Sequence, residues 1–141
     1  MMDTLREIPS AHTFVNLVEA AQMTDVFSGQ AITAFVPVND AYNNLPRGTV
    51  NRWMQPNNRE TLKTILSYHL IKGNASSAQF FPKTANYTSL QGEDIVVNGE
   101  SHQEIMINNA RLISPDIKVS NGTIHMIDRV LIPQAQSYRA F

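Results

Sequence analysis

The residues best suited to chemistry gather near the carboxyl end, in SNGTIHMIDRVLIP, where His125, Asp128 and Arg129 interrupt an otherwise apolar run. A histidine beside a carboxylate can act as a general base held in place by an acid. Asp40 adds a second carboxylate earlier in the chain. A hydrolase built on this sequence would use Asp40, His125 and Asp128. The surrounding pattern argues against one. The GxSxG elbow of a serine nucleophile is absent, Ser67 falls in a predicted helix, and Ser120 precedes a predicted hairpin. His12, His69, His102 and His125 are scattered, with no HExxH, HxH or HxxxH spacing, so no metal site is expected. The six glycines are dispersed at turns and form no phosphate-cradling loop. The expectation is no catalytic residue and no cofactor. His69 and His125 should instead be buried and hydrogen-bonded, because an unpaired buried imidazole costs about 1–3 kcal/mol. Their local candidates as partners are Asn39, Asp40, Tyr68 and Asp128, and Asp128 is expected to pair with Arg129.

Composition narrows the classes further. The chain has 141 residues, 43% of them hydrophobic and 16% charged, which describes one ordinary globular domain over residues 1–141. A chain this long buries roughly 70% of the surface that its unfolded form exposes, so it needs no covalent staple. With no cysteine there is no disulfide and no thiolate nucleophile, and a zinc site would rest on histidine and carboxylate alone. A net charge of -1 supplies no basic surface for a phosphate backbone, so nucleic acid is not expected as a partner. No apolar run approaches the roughly 18–20 residues of a membrane span. Residues 1–9 carry Asp3, Arg6 and Glu7 where a signal peptide would be apolar.

These side chains must be positioned by elements that the pattern predicts in outline. Ser10 can cap a helix over AHTFVNLVEAAQ, in which Phe14, Leu17, Val18 and Ala21 make one stripe. ITAFV reads as a buried strand ended by Pro37. Asn39 or Asp40 can cap a short helix over Ala41, Tyr42 and Leu45, closed by Pro46 and Gly48. A short helix over residues 49–54 follows, and then one over RETLKTILSYHL with Leu62, Ile65 and Leu66 inward and His69 a turn beyond Ile65. After Gly73 the texture predicts strands at 87–90, 94–97, 104–107, 110–113, 117–119, 123–127 and 130–132. Asn121-Gly122 is the strongest type I′ hairpin signal. Helices first and strands later argue for an α+β fold. No internal repeat, low-complexity tract or linker is evident.

Trp53, Met54, Phe80 and Phe81 form a second set, lying near prolines or in stretches of weak periodicity, where large apolar groups can line a ligand groove or simply cover the core. The N-x-S/T triplets at Asn74, Asn86 and Asn121 are about what chance supplies.

Three ordered motifs resemble the fasciclin, or FAS1, domain. TAFVPVNDAY, from Thr33 to Tyr42, is similar to its first signature, and NGTIHMIDRVLIP, from Asn121, to its second. Between them LSYHLI carries a Tyr68-His69 pair in the family's order. The resemblance implies a FAS1-type fold, with helices mainly in the N-terminal half packed on a mixed, sandwich-like sheet. It makes Thr33, Phe35, Pro37, Asn39, Asp40, Asn121, Gly122, His125 and Asp128 a structural motif, in which His125 and Asp128 would bond to the region of Asn39 and Asp40. It also implies a noncatalytic adhesion or interaction module that is secreted, periplasmic or at the cell surface. The partner would be a protein or a cell-surface or matrix component, met through Tyr68, His69, Leu70 and Ile71. The alternative that the resemblance supports is a carrier of an apolar, carotenoid-like molecule in a groove of Trp53, Met54, Phe80 and Phe81.

Overall fold

The computed structural model describes residues 1–45, 47–80, 83–100 and 104–132. Helix α1 (Met2–Glu7) buries Met2 and Leu5, and a 3-10 turn at Pro9–Ala11 leads into α2 (His12–Ala20). The apolar stripe of α2 is the predicted one, with Phe14, Val15, Leu17 and Val18 buried. Its predicted cap is different. Ser10 lies in the preceding turn, and the first turn of α2 is capped from a distance by Asn39, whose Oδ1 accepts the Thr13 N–H at 3.0 Å. The Asn39 Nδ2 donates to Pro9 O at 2.9 Å. Orphan N–H groups at a helix start need such an acceptor. Asn39→Ala is therefore expected to cost about 1–2 kcal/mol, read as a lower urea midpoint with an unchanged m-value. An unaltered midpoint would show that water replaces the cap at no cost.

After α3 (Val26–Gly29) comes β1 (Ile32–Pro37), then a 3-10 segment at Asn39–Asn44 in place of the predicted short α-helix. Pro46, its predicted stop, lies outside the described residues. Helix α4 (Thr49–Trp53) and helix α5 (Arg59–Ser67) follow. The α5 pattern predicted helix through Leu70, yet β2 (Leu70–Lys72) pairs antiparallel with β1, and the Phe35 N–H takes the His69 carbonyl at 2.8 Å. Sheet pairing overrides helical periodicity there.

The remaining strands are β3 (Thr84–Thr88), β4 (Asp94–Asn98), β5 (Met106–Ile107), β6 (Ala110–Val119) and β7 (Gly122–Ile127), in the sheet order β2-β1-β7-β6-β5-β4-β3. β6 is one long strand with two register irregularities where two short strands were predicted. Residues 130–132 form no strand. The β1–β7 pair is parallel, Ile32 opposite Gly122 through Pro37 opposite Ile127, and both strands are buried at every position. That burial reflects two covered faces. On one face Ile32, Ala34, Val36, Ile124 and Met126 join the helical side chains in a core. On the other, Phe35 and Ile127 meet Ile95, Val97, Ile107 and Ala110 from β4 to β6, so the second half of the sheet folds over the first. β4, covered on one face, alternates exposed and buried. A bridge between Ile71 and Ser89 and the Leu90 N–H to Leu70 O bond of 2.8 Å bring the two ends of the sheet together. Helices packed on a mixed sheet make this an α+β fold, as expected.

Candidate functional site

The two motif strands carry their polar side chains on the face away from the helices. Thr33, Phe35 and His125 are fully buried there. The His125 ring stacks on Phe35 at a centroid distance of 5.7 Å, and Phe80 lies 5.3 Å away. Its Nε2 donates to Ala75 O at 2.7 Å and its Nδ1 accepts the Asp116 N–H at 3.1 Å. This pairing requires a neutral ring with its proton on Nε2. Burial, opposed by the Ala75 bond and by Asp116, holds the ring's pKa below that of a free histidine. The expectation that His125 and Asp128 reach Asn39 and Asp40 is corrected. Asp128 Oδ1 accepts the Arg111 N–H at 2.7 Å, extending the β6–β7 pairing instead of bonding Arg129. Asn39 serves α2, and Asp40 is exposed. The two motifs meet through main-chain pairing, since Phe35 sits opposite His125. Asp40, His125 and Asp128 therefore do not converge on a substrate position.

Asn121 and Gly122 also act differently from expectation. Neither Ser120, Asn121 nor Gly122 has positive φ, so the hairpin is not type I′. Asn121 Nδ2 donates to Phe27 O at 2.8 Å, and the Asn121 carbonyl accepts the Ile32 N–H at 3.1 Å. The glycine is required by close approach, because a Cβ on Gly122 would lie 1.8 Å from Ile32 O.

Tyr68, His69, Leu70 and Ile71 were expected at a contact surface, and the structure buries all four, with exposures of 5%, 1%, 0% and 3%. As direct contacts they are corrected, since the turn from α5 into β2 points them inward. His69 lies against Phe14, its Nδ1 donating to Ile65 O at 2.8 Å and its Nε2 accepting the Leu131 N–H at 2.9 Å. Burial pulls its pKa down to about 4, against an opposing effect of the Ile65 bond. The Tyr68 hydroxyl donates to Asp94 O and accepts from Asn108 Nδ2, both at 2.9 Å. It stands at the wall of an open depression of about 800 Å³ lined also by Gly92, Glu93, Asp94, Val96 and Ile132. Burial pushes the phenol above its usual pKa, with the Asn108 bond opposing, so the hydroxyl is protonated near neutrality. Asn108 is the residue that the sequence did not single out. With φ of +54 it also exchanges main-chain and side-chain bonds with Val96 at 2.8 Å. The reach of its amide to Tyr68, 40 residues away, was not legible in the sequence.

The proposed apolar groove is also corrected. Trp53 is 2% exposed in the helical core, and Phe80 is 1% exposed in the separate core between the halves of the sheet. Met54 is 40% exposed, and Phe81 lies outside the described residues. Trp53 and Phe80 are thus drawn into separate cores and line no common groove. No helix among the described residues is long and apolar enough to cross a membrane.

A sequence profile of the fasciclin domain matches residues 9–133. The chain belongs to the fasciclin domain family. Protein sll1483 of Synechocystis sp. is 37% identical over 122 residues, covering 86% of this fasciclin chain and 66% of that protein. The cell surface glycolipoprotein MPB83 of Mycobacterium bovis is 35% identical over 114 residues, covering 81% of this chain and 49% of its own. The chain thus spans about half to two thirds of the length of these curated relatives. The same fold occurs in a FAS1 domain pair from the insect cell adhesion molecule fasciclin I, with a TM-score of 0.67 and 23% identity over 87% of this chain and 45% of that one. The fasciclin signatures are therefore the paired strands β1 and β7, with Tyr68-His69 at the turn into β2.

Proposed function

We propose that residues 1–141 form one fasciclin domain serving as a noncatalytic adhesion or interaction module that is secreted, periplasmic or at the cell surface. Its partner is a protein or a cell-surface or matrix component. The observation that carries this reading is the open depression beside Tyr68, which combines the carboxylates of Glu93 and Asp94 with the aliphatic side chains of Val96 and Ile132. Val96 is 40% exposed in the middle of β4. A mixed rim of this kind suits a protein surface better than a small-molecule cavity, which would enclose its ligand. The setting of the relatives supports the reading, since one is a cell surface glycolipoprotein and the solved structure belongs to a cell adhesion molecule. The dispersal of Asp40, His125 and Asp128 gives no support to hydrolysis.

The test is retention of the labelled domain on intact cells and extracellular matrix of its native source. Val96→Arg is expected to weaken retention by about 10-fold or more, while Asn51→Arg, at an exposed position of helix α4, leaves it unchanged. Equal retention of both variants and the parent would overturn the assignment of this surface.

A further inference from the structure

Between β2 and β3 the chain runs beneath the β1–β7 pair as residues 73–80, with one 3-10 turn, Ser77–Gln79, and no strand of the sheet. Side chains fasten it. Thr33 Oγ1 donates to Gly73 O and accepts the Ala75 N–H, both at 2.8 Å. The Thr123 hydroxyl bonds Asn74, and the Asp116 carboxylate accepts from both the Ser77 hydroxyl and, at 2.8 Å, the Ser77 N–H. The His125 Nε2–H holds Ala75 O, and Phe80 closes over the imidazole ring.

One of these fastenings can be undone by a proton. The two nitrogens of His125 work in opposite senses, Nε2 as donor and Nδ1 as acceptor. An imidazolium carries N–H on both, so a second donor would face the Asp116 N–H and the ring would have to turn away. Asp116 itself sits at φ of +61, an uncommon conformation for a residue with a side chain, at an irregularity of β6. Apart from the Gly73 N–H to Ala31 O bond of 2.9 Å at its start, the segment is held to the sheet through side-chain bonds rather than a strand ladder, and such a segment opens locally at lower cost than the sheet around it.

We propose that His125 is a proton-operated latch, whose protonation releases residues 73–80 and uncovers the apolar surface beneath Ala75 and Phe80 while the β1–β7 pair stays intact. The charged groups that face the ring are Asp116, which favours the imidazolium, and Lys118, which opposes it; both lie on β6. β1 (ITAFVP), β7 (GTIHMI) and the segment itself (GNASSAQF) carry no other ionisable side chain. For Asp116, burial pushes the pKa up, but the Ser77 bonds, His125 and Lys118 outweigh it and hold it below the usual range. Asp116 therefore keeps its charge in mild acid.

Amide hydrogen exchange by NMR on the full chain tests the latch at about pH 7 and about pH 5, after correction for intrinsic rates. Protection of the Ala75, Ser77 and Asp116 amides is expected to fall by up to about 25-fold, because an opened His125 takes up a proton that the closed ring refuses. The Phe35 and Val38 amides, which bond His69 O and Ile127 O, report opening of the sheet itself and should stay better protected than the segment at both pH values. Protection at Ala75 and Ser77 equal to that at Phe35 and Val38 at about pH 5, or no fall at Ala75 and Ser77, would overturn the proposal. In His125→Gln the extra acid sensitivity of the segment should vanish, and its persistence in a folded variant would assign the effect to another group. Ring ¹⁵N shifts of the parent protein at about pH 7 supply a measurement independent of any variant, expected to show the proton on Nε2; a proton on Nδ1 would contradict the latch.

Discussion

Gly122→Ala is expected to prevent the chain from folding to its native state. The added Cβ would lie 1.8 Å from Ile32 O, 2.9 Å from Ile32 C and 3.2 Å from Ile32 N, all main-chain atoms that no side-chain rotation can move. Ile32 and Gly122 are the first partners of the parallel β1–β7 ladder, and the Ile32 N–H is already committed to Asn121 O. Relief would require the two central strands to part where both are fully buried. A loss above about 4 kcal/mol is the scale for such a core disruption, comparable with the roughly 5–15 kcal/mol that a whole domain has to spare. Near-ultraviolet circular dichroism, which reports the packing of Trp53 and the tyrosines, should collapse, and the protein should become insoluble or molten. Gly29→Ala is the matched control, since a Cβ there meets nothing within 4 Å and its φ is not positive. It should leave stability unchanged or slightly raised. A Gly122→Ala protein with a native spectrum and midpoint would show that the strands can separate at the hairpin without cost.

The second large effect concerns acid. His69 is neutral in the native state, its pKa brought from 6.5 to about 4 by burial, whereas the unfolded chain protonates it at the ordinary value. Between those two values the unfolded state binds the extra proton, so stability falls as pH falls. The contribution is complete above about pH 6.5, declines through the window down to about 4, and is constant below it. The gap corresponds to roughly 3 kcal/mol. Structurally, the imidazolium would present Nε2–H to the Leu131 N–H that the neutral ring accepts. Urea midpoints measured from about pH 7.5 to about pH 4 should show this loss, and His69→Gln should flatten the slope while lowering stability at neutral pH. His125 contributes with the same sign, so the variant keeps a residual slope. A parent protein equally stable at both ends of the window would mean that the buried ring is charged or that its site is wet.

Much of the scaffold was legible along the chain because its signals are local. The stripe of Phe14, Leu17 and Val18 specifies the buried face of α2, and ITAFVP and GTIHMI are too apolar and β-branched to be other than core strands. The order of the three motifs disclosed the family. What tertiary structure decided is which distant groups meet. Leu70–Lys72 continued a helical pattern and became strand because β1 offered its edge. His125 met Ala75 and Asp116 instead of Asn39 or Asp40, and Asn39 went to cap α2. Trp53 and Phe80, alike in character, were divided between two cores. Gly122 looked like a turn residue and proved to be a point of contact between strands. Periodicity and turn chemistry act over a few residues, whereas a buried donor is satisfied by whichever acceptor the folded chain brings within about 3 Å. For His125 and Ala75 that acceptor is 50 residues away, and no spacing in the sequence encodes it.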